Sequence, residues 1–239
     1  MTTRFSGADW ADQIRDMILV GAGGIGSWTA LNLSRIGHPF YLIDSDVVDE
    51  TNVKGGQMFK NEQIGMAKVH AVKETCADFG GASNITAMAS LYTQSTGALP
   101  IMIGAVDNME ARKVIFKAWK QYDRDKEAIL IDGRLLMETM EIFAIRGDNK
   151  KDIEKYEKLY LFDDKDVPDL DCTNKQSTFG AMTIAGLITA TLCNHLTNVK
   201  LGAELREAPF YQRLHLPILN YQTNEPVSSN QSVEELATV

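Results

Sequence analysis

The sequence predicts an α/β fold: a Rossmann-like, doubly wound, mostly parallel sheet with an antiparallel C-terminal extension. Three observations carry this expectation. Short apolar runs alternate with stretches of helical periodicity up to about Arg146. The run Ile18-Leu19-Val20 stops at Gly21-Ala22-Gly23-Gly24-Ile25-Gly26, a strand, glycine turn and helix in succession. Beyond Met137 the pattern changes to a two-residue alternation, which reads as antiparallel strand.

A chain of 239 residues can bury a full core as one domain. Hydrophobic content of 44% and charged content of 23% are ordinary for a globular protein. The net charge of −8, with no basic run, argues against nucleic acid as a partner. The first residues lack the apolar core of a secretory signal, and the three cysteines are too scattered for a disulfide framework. A cytoplasmic location is the expectation. No Cys-x-x-Cys pair and no His-Glu-x-x-His occur, so no structural zinc is expected. The four histidines are read as surface or satisfied interior residues.

Trp10 and Ile14 suggest a short leading helix over residues 1–15, with Arg4 and Arg15 as its cations. Gly21 and Gly23 allow a tight turn and close approach of a ligand to backbone, and Gly26 allows close helix–strand packing. Free N–H groups at the start of the next helix face an anion, so the turn is a phosphate cradle; alone it does not separate NAD, FAD and ATP users. That helix runs to Ile36 and ends at Gly37-His38-Pro39, and Phe40–Ile43 forms a second strand ending on Asp44. A carboxylate there suits ribose hydroxyls, with a turn cap as its bland alternative.

The segment from Asp44 to Asn52 is an acidic loop, followed by Lys54, Gly55, Gly56 and Gln57 and a helix over about Glu62–Phe79. Lys68, early in that helix, is by itself an ordinary exposed lysine. Strands are expected at Asn84–Met88, at Ile101–Val106 before Asp107-Asn108, and at Ala128–Ile131 before Asp132-Gly133-Arg134. A helix over Met109–Tyr122 lies between the last two. In such sheets ligands sit outside the carboxyl ends of the strands, where the glycine turn, Asp44 and Asp107 all fall.

The rest divides into a charged crossover at 147–176, helical around Ile153–Leu161, an uncharged helix at Ser177–Leu196, strands within Tyr211–Tyr221 and a polar, loose tail over 223–239. Residues 1–146 form the nucleotide-binding core, and 177–222 belong to the same domain. The uncharged helix approaches membrane-spanning length, but its Ser, Thr, Asn and His residues favour a buried or dimer-interface role, so no membrane partner is expected.

The ordered set Gly21–Ser27, Asp44-Ser45-Asp46, Asn52 with Gln57, Gly65-x-x-Lys68 and Asp107-Asn108-x-x-x-Arg112 resembles the ThiF/MoeB/HesA family. These adenylating enzymes are related to the ubiquitin-activating enzymes. The resemblance covers about Met17–Ile145, with a weaker echo in Cys172–Leu196. It implies an ATP- and Mg²⁺-dependent adenylyltransferase that activates the C-terminal carboxylate of a small ubiquitin-like or sulfur-carrier protein, or of a peptide, as an acyl-adenylate. It further implies that Gly21, Gly23, Gly24 and Gly26 cradle nucleotide and that Asp44 holds ribose. Asp46 and Asn52 would arrange the acidic loop, Lys68 would meet phosphates, and Asp107 would carry Mg²⁺. Asn108 and Arg112 would shape the loop around Asp107, though Arg112 also reads as a surface charge.

A homodimer is the family habit, with an arginine from the leading segment, Arg15 or Arg4, reaching the partner's ATP. Cys172 stands where activating relatives place an acceptor thiol. The family's Asn-x-x-Arg-Gln is altered here to Asn52-Val53-Lys54-Gly55-Gly56-Gln57, where Lys54 supplies charge without a bidentate fork. Two other readings stay open: an NAD-dependent oxidoreductase, and a non-catalytic nucleotide-binding scaffold of the same fold.

Overall fold

The computed structural model describes residues 7–12, 15–162 and 177–223; the expectations for Arg4, Ile14, Cys172 and the tail from 224 onward lie outside them. Eight strands form one sheet in the order β3-β2-β1-β4-β5-β6-β7-β8. They are β1 (Met17–Val20), β2 (Phe40–Ile43), β3 (Ile85–Met88), β4 (Ile101–Gly104), β5 (Ile129–Leu136), β6 (Thr139–Arg146), β7 (Tyr211–His215) and β8 (Asn220–Gln222). β1 to β5 run parallel and β6 to β8 antiparallel. The doubly wound sheet with its antiparallel extension is therefore as the sequence predicts.

The helices are α1 (Gly24–Ile36), α2 (Glu50–Lys54), α3 (Lys68–Asp78), α4 (Met109–Trp119), α5 (Lys150–Lys155) and α6 (Thr178–Leu201). The strands of the parallel half are apolar throughout because both faces are covered. Met17 and Leu19 pack with residues of α1, α3 and α6, while Ile18 and Val20 pack with α4 and α5. Each large side chain buried this way contributes roughly 1.5–3 kcal/mol. Fully buried Trp119 also donates its indole N–H to the Pro100 carbonyl at 2.8 Å.

Gly37 ends α1 in the left-handed conformation at φ 88°. α6 opens on Ser177, whose hydroxyl accepts from the Gly180 N–H, and closes on Gly202 at φ 62°. It is long and apolar enough to cross a membrane, yet over half of its apolar window is buried within the protein against α1, β5 and β6.

Several boundaries differ from expectation. The leading segment makes only a 3-10 turn at Asp9–Asp12. The helix expected over Glu62–Phe79 is broken: a 3-10 turn at Asn61–Gln63 is separated from α3 by Gly65, at φ 88°. The acidic loop contains α2, nucleated by a capping box in which Asp49 and Asn52 each accept the other's backbone N–H. α6 runs on past Leu196 to Leu201. In the crossover, α5 widens into a π turn at Tyr156–Tyr160. His38 is also not a satisfied interior residue: it is buried, and both its ring nitrogens are unpartnered among the described residues.

Candidate nucleotide site

The glycine turn is dictated by two close approaches and one open one. At φ 98°, Gly21 has room for no side chain: a Cβ would lie 2.3 Å from the Ala105 carbonyl oxygen. A Cβ on Gly26 would lie 1.9 Å from the Gly21 carbonyl oxygen, which is why α1 can lie against β1. At Gly23 the space is open save for the Gln57 amide oxygen at 3.9 Å. Gly23 caps α1 without a side-chain hydrogen bond, so the first N–H groups of this thirteen-residue helix, Gly24 among them, are left for a ligand. The Gln57 amide oxygen is buried and unpartnered among the described residues, a donor-seeking atom beside the cradle.

Asp44, just beyond β2, is fastened to this turn. One carboxylate oxygen accepts the Ala22 N–H at 2.7 Å and the other the Asp46 N–H at 2.8 Å. Each oxygen keeps a second lone pair. A short antiparallel pairing follows: Val48 N–H to Met66 carbonyl, Gly65 N–H to Val48 carbonyl and Lys68 N–H to Asp46 carbonyl. It brings Lys68, first residue of α3, against the loop. Its Nζ lies 2.9 Å from Asp46 and the lysine is buried, whereas the Asp46 carboxylate is largely exposed. The bland reading of Lys68 as an exposed helix lysine is thus corrected.

Across the sheet, the loop after β4 carries exposed Asp107, which accepts from the Asn108 side chain at 3.2 Å. Asn108 caps α4 by accepting the Ala111 N–H at 2.8 Å. Arg112 is no surface charge: it is buried, donating from Nε to Asp132 at 3.0 Å and from a terminal nitrogen to the Val106 carbonyl at 2.5 Å. It braces the loop from within. Asp132 is also held by Arg134 at 2.7 Å and by the Tyr156 hydroxyl at 2.9 Å. Burial alone would raise the Asp132 carboxyl, but Arg112 and Arg134 outweigh it and hold it below its usual range. Burial pushes the Tyr156 phenol up, so it stays a neutral donor.

The glycines, Asp44, Asp46, Gln57, Lys68, Asp107 and Asn108 are therefore gathered at the carboxyl ends of β1, β2 and β4. Two predicted residues are not. Lys54 is three-quarters exposed and pairs with Glu50 on its own helix. Arg15 precedes β1 and pairs with Glu127, which precedes β5, so it stands at the amino ends of the strands. Asn52 acts on the acidic loop as the α2 capping residue. Residues overlooked from sequence are Asp132, Arg134 and Tyr156; the signal was an opposite-charge pair, two residues apart, on an otherwise apolar strand.

The site is that of a doubly wound α/β domain and lies between a glycine turn and an acidic loop. The chain belongs to the ThiF family, whose profile matches residues 4–233. It is 30% identical over 104 residues to the SUMO-activating enzyme subunit 2 of Dictyostelium discoideum and 31% identical over 134 residues to the ubiquitin-like modifier-activating enzyme 5 of Bombyx mori. Those alignments cover 41% and 47% of this chain but only 16% and 33% of the relatives' lengths. Similar solved structures include PaaA, with TM-score 0.65 and 17% identity, over 90% of this chain and 65% of that one. E. coli MccB crystallised with ATP has TM-score 0.65 and 14% identity, over 92% and 68%. These likenesses fit the fold.

Proposed function

We propose that this protein is an ATP- and Mg²⁺-dependent adenylyltransferase that activates the C-terminal carboxylate of a small ubiquitin-like or sulfur-carrier protein, or of a peptide. The observation that carries the reading is that an uncapped helix N-terminus, Asp44 locked onto Ala22, a buried Lys68 and an exposed Asp107 all lie at the carboxyl end of the parallel strands. Family membership and the activating enzymes among its relatives support it.

The chemistry asks little of proton transfer. A C-terminal carboxylate is ionised at neutral pH and attacks the α-phosphate of ATP directly, releasing pyrophosphate, so no general base is needed. The obstacle is the meeting of two anions, which positioning and fixed positive dipoles address. The α1 N-terminus would receive phosphate, and Lys68, with one of its three donors on Asp46, keeps two for oxygens of the substrate. Asp44 would orient ribose through its remaining lone pairs.

Among the described residues no group of three or more Asp, Glu, His or Cys could hold a metal ion by itself. A single exposed carboxylate suits Mg²⁺, which is held by one or two carboxylates together with substrate phosphates. Asp107 would hold it there, and the ion would supply neutralisation of phosphate charge. A second copy of the chain would dock on α6, where Phe179 and Met182 are exposed.

The test is calorimetric titration of Mg-ATP, and separately of NAD, followed by ATP–pyrophosphate exchange with candidate carboxylates. Mg-ATP is expected to bind, and Asp107→Ala to weaken it at least about tenfold, a loss of about 1.4 kcal/mol. Binding of NAD without Mg-ATP would overturn the reading in favour of the oxidoreductase.

A further inference from the structure

β5 carries a pattern that core packing does not require. Asp132 and Arg134 project to the α4 and α5 side, while Gly133 between them faces α6, where a Cβ would lie 2.7 Å from the Ile188 Cδ1 and require that side chain to shift. Asp132 is 2% exposed and stands in register with Gly104, the last residue of β4. Arg134 reaches from Asp132 to the Tyr160 carbonyl at 2.9 Å and the Tyr156 hydroxyl at 3.4 Å, with its guanidinium 4.5 Å from the centre of the Phe143 ring. Arg112 reaches from the same carboxylate to the Val106 carbonyl.

As a device for stability alone this is a poor choice. Two guanidiniums and a carboxylate lose hydration on burial, and well-packed apolar residues serve as well or better. What the network joins is more informative. One end terminates on the carbonyl immediately before Asp107, the other on both ends of the π turn Tyr156–Tyr160, where the crossover leaves α5. Every link is a directional hydrogen bond from a planar or ring donor, so Arg134, Asp132 and Arg112 form an unbroken chain from the π turn to the Asp107 loop. π turns interrupting a helix recur at functional positions.

We propose that Asp132, Arg134 and Tyr156 are positioning residues that set the Asp107 loop from the crossover segment. The order of residues 150–162 and the placement of Asp107 are then one coupled event, and coupling of this kind is reciprocal. The inference rests on the adenylation reading only for the role of Asp107; the coupling is a property of the protein alone.

Hydrogen exchange on the full chain without ligand therefore tests it. Tyr156→Phe removes one hydroxyl, and Arg134→Lys keeps the charge but loses the fork. In both, amides of 105–112 are expected to exchange at least about fivefold faster while α1 is unchanged. Faster exchange confined to 150–162 overturns the coupling, and Tyr156→Phe, the milder change, carries the test if Arg134→Lys fails to fold. In ATP–pyrophosphate exchange, Arg134→Lys is expected to raise KM for Mg-ATP about tenfold with kcat within about twofold. KM and kcat both unchanged in the folded variant, with only its stability lowered, would mark a merely structural residue and refute the positioning role. Failure of the unmodified protein to bind Mg-ATP would refute adenylation, and ligand-free exchange would still decide the coupling.

Discussion

Asp44 follows the carboxyl end of β2, Asp132 lies within β5 level with the last residue of β4, and the two carboxylates live under opposite rules. Asp44 is half-buried and held by two backbone N–H groups, with no cation on it among the described residues. Asp132 is buried and held by two guanidiniums and a phenol. Backbone donors orient a carboxylate without neutralising it, so Asp44 keeps charge and lone pairs for a ligand. Side-chain cations consume Asp132, which serves the protein. The lesson is that a carboxylate's place in the sheet does not make it functional; the identity of its donors decides what is left over.

That contrast can be broken most forcefully at Asp132. Asp132→Asn leaves two buried guanidiniums without a counter-charge and is expected to cost about 3–5 kcal/mol in urea denaturation. Asp44→Asn, by contrast, is expected to change stability by less than about 1 kcal/mol. Equal losses at the two sites would erase the distinction. Gly26→Ala comes next: its Cβ would meet the Gly21 carbonyl, so α1 must move away from β1, at about 1–3 kcal/mol by thermal unfolding, with Mg-ATP affinity falling in parallel.

A pH profile gives a smaller effect. Burial lowers the pKa of His38, and burial likewise lowers that of His195 against the opposing effect of its hydrogen bond to the Glu127 carbonyl, which accepts from the ring Nε2. Both rings are neutral in either state above about pH 6.5, where stability is fully present. Below that value the unfolded chain takes up protons first, so stability falls as pH drops, by at most about 1.4 kcal/mol per pH unit for each ring, until the folded-state values are reached. Melting at pH 7.5, 6.5 and 5.5 checks the sign, and a flat profile would mean the rings accept protons within the fold. Lys54→Ala is the smallest perturbation, expected within about 0.5 kcal/mol because its pair with Glu50 is exposed. A larger loss of Mg-ATP affinity would return Lys54 to the cradle.

The two regions also differ in how far they could be read from sequence. The glycine turn, Asp44 and Asp107 depend on local chain geometry: a strand end, a turn, a helix start. Each of those signals is contained within a few residues, which is why the carboxyl end of the parallel strands was legible. The Asp132 network draws its members from β5, α4 and a π turn, and no local pattern announces that Arg112 turns inward. Helix α2 escaped notice for a chemical reason: its capping box uses Asp49 and Asn52 in place of the commoner Ser or Thr with Glu. The break before α3 could have been anticipated from Gly65, whose φ of 88° admits few other residues.

The π turn at Tyr156–Tyr160 also fixes the length of the chain there. A π turn holds one residue more per hydrogen-bonded loop than an α-helix, so it is an insertion absorbed in place. Deleting one residue between Lys155 and Tyr160 would let α5 continue as a regular helix, rotating everything beyond it by about 100°. The carbonyl that Arg134 grips would then face elsewhere. By this geometry a change of residue count here disturbs the Arg134 contact more than a change of side chain does.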